Sequence, residues 1–167
     1  MPLPFQIIPQ NEDEGFMLEA LKEAWKAYLV KEVPIGAVLV KKGRVIARGY
    51  NQVEMLKDAT AHAEMLCLTA GESVVENWRL LDTVLYCTLE PCLMCAGAMF
   101  LTRISKLVYG APDLRHGVFG SFMNISEKPH PIHQFQLQKG VLASYSSELM
   151  RLFFQERRKN KEGDFHG

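Results

Sequence analysis

The chain has 167 residues, 48% of them hydrophobic and 23% charged, with 19 basic side chains against 19 acidic ones and a formal net charge of zero. That length suits one domain with a core of its own, and the composition excludes wholesale disorder. Neutrality excludes a global field that draws in nucleic acid, so any such attraction rests on local patches.

The opening MPLPFQIIPQNEDEG lacks a basic n-region and is broken by prolines, so no secretory signal is expected. The longest apolar run, Cys92 to Leu101, is ten residues, about half a membrane span. A reducing, cytoplasmic location without membrane contact is therefore expected. Four cysteines there suit metal ligands or core thiols better than a disulfide framework.

From Gly15 to Glu32, Met17, Leu21, Ala24 and Tyr28 recur at helical spacing, widened by Leu18, Trp25 and Leu29, and Pro34 ends the helix. Ile35–Val40 and Val45–Tyr50 flank a glycine-containing turn and predict a β-hairpin. A polar loop from Asn51 to Thr60 precedes a helix over Ala61–Val75 with Met65, Leu66 and Leu68 inward. Asp82–Glu90 is nearly continuous in apolar residues, a central strand. Pro91 suits the first turn of a helix that lasts to Thr102, and SKLVYG is a further strand. Ala111–His133 is a long loop rich in Gly, Pro and Ser, a length uncommon without a job. FQLQKGVLA predicts a last strand or strand pair, and residues 147–161 a basic C-terminal helix. The order α-β-β-α-β-α-β-β-α predicts an α/β fold, a mixed sheet with helices on both faces.

Two fragments carry chemistry: TAHAEMLC at 60–67 and EPCLMC at 90–95. A catalytic zinc takes three protein ligands and keeps a fourth position open. Cys92 and Cys95, at i and i+3, share a helix face, and a first turn behind Pro91 would favour thiolates. His62 supplies the third ligand if its own helix starts beside the same metal. Glu64, near the metal but not on it, would take a proton from water and return it to a leaving amine, while the metal lowers that water's pKa.

The pattern H-x-E…P-C-x-x-C is the signature of zinc nucleobase deaminases. HAE at 62–64, PCLMC at 91–95 and the preceding PIGAVLV resemble the cytidine/deoxycytidylate deaminase superfamily. Within it, VPIGAVLV, ARGYN, TAHAE, TLEPCLMCAGAM, VYGAPD, GVFGS and FFQERR resemble the bacterial-type tRNA-specific adenosine deaminases, from about Phe16 to Lys161. The resemblance implies a three-layer αβα cytidine deaminase-like fold with a five-stranded mixed sheet, forming one zinc-dependent domain over residues 1–167. It implies one Zn2+ per subunit on His62, Cys92 and Cys95, with Glu64 as proton shuttle. Asn51 falls on the purine-contacting asparagine, Val33 and Pro34 on the pocket wall, and Asp113 near the target nucleotide. The implied reaction turns the wobble adenosine of a tRNA anticodon stem-loop into inosine, by a homodimer, with no DNA partner. Pro112, the 114–119 segment LRHGVF and Gln155 depart from the family pattern.

Other readings stand beside these. A closed structural zinc site would need a fourth ligand, and Cys87 has the wrong spacing. A redox C-x-x-C leaves HAE unexplained, and Cys67 and Cys87 are expected in the core. Asn51 and Asp113 taken alone are turn residues, and His130 and His133 a solvated pair. Arg151 to Lys161 holds five basic residues and one acidic, ordinarily a solvated helix face; with Phe153 and Phe154 docking the helix, Arg157 and Arg158 would meet phosphates. Alternatives to tRNA editing are a deaminase of free guanine- or cytosine-type bases or nucleosides, and a non-catalytic tRNA-binding subunit, for which Glu64 would have no use.

Overall fold

Asn11 starts the first helix. Its backbone is extended and its Oδ1 accepts the Glu14 N–H at 2.9 Å, while Glu12, Asp13 and Glu14 place negative charge on the positive helix end. In this computed structural model, which describes residues 1–164 and side chains to residue 160, α1 therefore spans Glu12–Leu29. It begins three residues before the expected Gly15. Lys161, the last basic residue of the C-terminal run, lies outside the described side chains.

The hairpin is β1 (Gly36–Lys41) and β2 (Arg44–Tyr50). Its two-residue turn has Lys42 at φ 50° and Gly43 at φ 71°, the left-handed pair that suits the strand twist. The polar loop contains one unpredicted helical turn, α2 (Val53–Leu56), ahead of α3 (Ala63–Val75). Then follow β3 (Thr83–Leu89), α4 (Leu93–Thr102), β4 (Lys106–Ala111), a 3-10 turn at Ile125–Glu127, β5 (Gln136–Gln138) and α5 (Ala143–Asp164). The last strand is only three residues long, because Gly140 and Leu142, at φ 81° and 51°, turn the chain out of the sheet. α5 consequently starts four residues before the expected Ser147.

The five strands run in the order β2-β1-β3-β4-β5. β1 is antiparallel to both neighbours, and β3, β4 and β5 are mutually parallel, so the mixed sheet is as expected. Alternation along the strands builds the three layers. Ala37, Leu39, Leu85, Leu107 and Tyr109 pack toward α3 and α4 with Cys67, Leu68, Cys95 and Met99. Val38, Val40, Tyr86 and Val108 pack toward α1 with Met17 and Ala20, and α5 joins that face through Leu149 against Leu21 and Ala24. Leu66, expected inward, is only half-buried; Ala63, Glu64, Cys67, Leu68 and Gly71 form the inner face of α3.

This topology decides where the site sits. The carboxyl ends of β2, β3 and β4 and the amino end of β1 share one edge of the sheet. Val33 and Pro34 precede β1, Asn51 follows β2, Glu90 to Cys92 follow β3 and Asp113 follows β4, so one edge collects them all. No helix among the described residues is long and apolar enough to cross a membrane.

Candidate active site

His62 and Cys92 are both N-cap residues. His62 (φ −71°, ψ 152°) precedes α3 and Cys92 (φ −79°, ψ 174°) precedes α4, so Cys92 lies just before the first turn and Cys95 within it. Neither cap side chain bonds its own helix, which frees both for a common centre. His62 Nδ1 stands 3.6 Å from Cys92 Sγ and 3.5 Å from Cys95 Sγ, and all three potential ligand atoms lie within 4.8 Å of one another. Zinc bonds of about 2.0 Å to nitrogen and 2.3 Å to sulfur, at tetrahedral angles, put ligand atoms about 3.6 Å apart. The trio fits a metal ion of that kind, and Nδ1 is the ring nitrogen that faces it, a choice the sequence leaves open. Cys87 is not one of the cluster.

The thiols are unequal. The neighbouring Cys95 and then His62 hold the Cys92 thiol down to about 4, while Cys92 and burial push Cys95 up. The Cys92 sulfur in turn raises the His62 imidazole. Burial raises the Cys67 and Cys87 thiols, as suits inert core cysteines.

Glu64, in the first turn of α3, is 4% exposed. Burial raises its carboxyl, toward the range in which a group exchanges protons near neutral pH. Asn51 is buried, and its backbone N–H donates to Ile35 O at 3.0 Å. The next residue, Gln52, donates to Ala61 O at 3.0 Å, which ties the end of β2 to the start of the His62 helix. Pro34 is buried and Val33 half-buried.

Asp113 does what a turn residue does. Its Oδ1 accepts the N–H groups of Arg115 and His116 at 3.0 and 3.3 Å, and Oδ2 stands 3.6 Å from His116 Nδ1. His130 and His133 are more tied down than a solvated pair. His130 stacks on Phe100 at 4.7 Å, and His133 Nε2 meets Ile104 O at 2.7 Å. Phe153 is buried beside Tyr28 and docks α5 on α1, whereas Phe154 is exposed. Arg157 and Arg158 are exposed, with the Arg157 guanidinium 5.6 Å from the Phe153 ring centroid.

Three buried carboxylates were not expected from the sequence: Glu23 on α1, paired with Lys26 at 2.7 Å, and two at the sheet edge that carries the site. Glu32 is 1% exposed and Glu90 is 3% exposed. Glu90 Oε1 accepts from Tyr109 OH at 2.9 Å and Ser121 Oγ at 3.0 Å. In sequence each of these two is a lone acid beside a proline or a valine, with no periodic signal to mark it.

Residues 10–111 match the model of the cytidine and deoxycytidylate deaminase zinc-binding region. The chain belongs to this deaminase family. A relative from Bacillus subtilis (strain 168), a tRNA-specific adenosine deaminase, is 45% identical over 152 residues, covering 91% of this chain and 94% of its own. A chloroplastic tRNA(adenine(34)) deaminase of Arabidopsis thaliana is 50% identical over 161 residues. That match takes in 87% of this chain, which spans only 12% of the plant protein's length. A structure solved in a study of A-to-I editing by tRNA:A34 deaminases superposes with a TM-score of 0.77 at 43% identity, covering 81% of this chain and 98% of that one. The deaminase fold is therefore shared, and the zinc named in the family's description matches the donor set found at His62, Cys92 and Cys95.

Proposed function

We propose that this chain is a hydrolase that converts the adenosine at the wobble position of a tRNA anticodon to inosine. The observation that carries the reading is the buried Glu64 carboxyl in the first turn of the helix that His62 caps, with His62, Cys92 and Cys95 spaced for one zinc. Likeness over nine-tenths of the chain to a tRNA-specific adenosine deaminase supports the choice of substrate.

His62, Cys92 and Cys95 hold one Zn2+ per subunit. When bound there, zinc supplies Lewis acidity that brings the pKa of a water from about 16 to about 7. Glu64 takes the proton from the attacking water and passes it to the leaving amine. Oxygen bonds to C6 of adenine, the C6–N bond breaks, and ammonia leaves: adenosine and water become inosine and ammonia. Asn51 pairs with the purine through its amide, Val33 and Pro34 wall the base, and Asp113 shapes the turn beside the target nucleotide. Flipping a base out of a single-stranded loop costs little, which suits an anticodon.

Arg157 and Arg158 meet RNA phosphates. Tyr28, in the last turn of α1, bonds Glu156, which brings this end of α5 to the edge where the chain enters Glu32–Pro34. Exposed Leu93 and Leu101 on α4 serve a homodimer contact. The protein acts as a single domain in the cytoplasm.

The test is deamination by purified, zinc-loaded protein of an anticodon stem-loop with adenosine at the wobble position, beside free adenosine, cytidine and guanine. Each substrate carries a Glu64→Ala control. Inosine in the RNA arm, lost in the control, is the expected result. Ammonia from a free base with the RNA untouched would overturn the substrate and keep the chemistry.

A further inference from the structure

Glu32 stands between α1 and β1 in the stretch KEVP, which looks like surface sequence, yet it is 1% exposed. Its Oε1 accepts the Met55 N–H at 2.6 Å, and its Oε2 accepts the Glu54 N–H and Asn51 Nδ2, each at 3.3 Å. The two backbone donors belong to the first turn of α2, whose own N-cap Gln52 makes no side-chain cap. Glu32 thus satisfies those orphan N–H groups from a distant part of the chain, and that anchors its carboxylate.

The third bond bears on the substrate. A carboxylate oxygen accepts and does not donate, so Asn51 must turn its NH2 toward Glu32 and its carbonyl oxygen away. A carboxamide is otherwise nearly symmetric in shape, and a half-turn exchanges donor for acceptor. Among the described residues no donor meets Asn51 Oδ1. Glu32 alone decides which way the amide faces.

We propose that Glu32 is a positioning residue that sets base specificity by locking the Asn51 carboxamide in one of its two orientations. The inference rests on the reading of Asn51 as the base contact. Locked, Asn51 offers its carbonyl oxygen beside its second N–H, an acceptor next to a donor. Adenine presents the complement, an exocyclic N–H donor next to a ring-nitrogen acceptor. A 6-oxo purine reverses this at its N1 edge, with O6 accepting and N1–H donating. The same lock that favours adenosine therefore disfavours the inosine product and helps release it. An amide turned over would invert both preferences.

Glu32→Gln tests this with little change of shape. Its carbonyl oxygen must stay on the Met55 N–H, which leaves Nε2 facing Asn51 and forces that amide to turn its oxygen inward. The expected result is unchanged zinc content and a lowered melting temperature, because the Glu54 N–H loses its acceptor, with kcat/KM on the adenosine stem-loop lowered by about 10- to 100-fold. Inhibition by the inosine-bearing stem-loop should become tighter. In an Asn51→Ala background the same substitution should change kcat/KM by less than about 2-fold, as expected of a residue that acts only through Asn51.

A second readout needs no turnover. The Asn51 side-chain amide pair in a 1H–15N spectrum, assigned by its loss in Asn51→Asp, should show one proton protected from exchange in the parent protein and none in Glu32→Gln. Equal loss of activity in both Asn51 backgrounds, or an amide pair indifferent to Glu32→Gln, would overturn the proposal. A parent protein inactive on RNA would sink the tRNA reading, while the amide spectrum still decides whether Glu32 holds Asn51. Should Glu32→Gln not accumulate folded, Glu32→Asp, shorter by one methylene, is scored by the same two readouts.

Discussion

Gly117 lies against Glu90 so closely that a β-carbon there would stand 1.4 Å from Glu90 Oε2. Among the described residues that buried oxygen has no hydrogen-bond partner, while Oε1 holds Tyr109 and Ser121. The next residue, Val118, donates to Pro91 O at 3.1 Å. The long loop after β4 is thus pinned to the residues just before Cys92.

Gly117→Ala should push that loop away from the start of α4. We expect a loss of about 1–3 kcal/mol from overpacking, roughly 2–4 °C in melting temperature per kcal/mol for a chain of this size. Thermal denaturation checks it, and an unchanged melting temperature would mean that the loop yields freely.

Metal content separates the roles at the site. His62→Ala, Cys92→Ala and Cys95→Ala should each purify with well under one zinc per chain by elemental analysis. Glu64→Gln should keep its zinc and lose about 10²- to 10⁴-fold in kcat, the range for general acid–base catalysis. Loss of zinc in Glu64→Gln would make that carboxylate part of the metal site instead.

Asp13 gives a pH test away from the site. Burial pushes its carboxyl up, but the Tyr86 hydroxyl at 2.7 Å and Lys106 Nζ at 3.5 Å hold it below the usual carboxylate range overall. A carboxyl lower in the folded than in the unfolded state stabilises above its unfolded value and loses that contribution as pH falls through the folded value. Asp13→Asn should therefore cost about 1 kcal/mol at pH 7. The gap between the two proteins should close below about pH 4 in denaturant melts.

If Arg157 and Arg158 meet phosphates, Arg157→Gln/Arg158→Gln should weaken stem-loop binding alike for all sequences. The slope of log K against log salt should become shallower by about 1–2. An unchanged slope would return this helix end to the solvent.

The local chemistry of the chain was legible because each signal is short-range. Each helix stripe, the glycine-containing hairpin turn and each of the two fragments, one with His62 and Glu64 and the other with Cys92 and Cys95, is contained within a short run of the chain. Spacing cannot say which nitrogen of His62 faces the sulfurs. That follows from two helices starting side by side, with His62 and Cys92 as their N-caps. Nor can sequence distinguish Glu32 or Glu90 from solvated acids. Their burial depends on partners brought in by the sheet: Asn51 and α2 for Glu32, and Tyr109, Ser121 and Gly117 for Glu90. A ligand type can be fixed by its neighbours in the chain, but a buried carboxylate is stable only where distant N–H and O–H groups converge on it, and that convergence is a property of the fold alone.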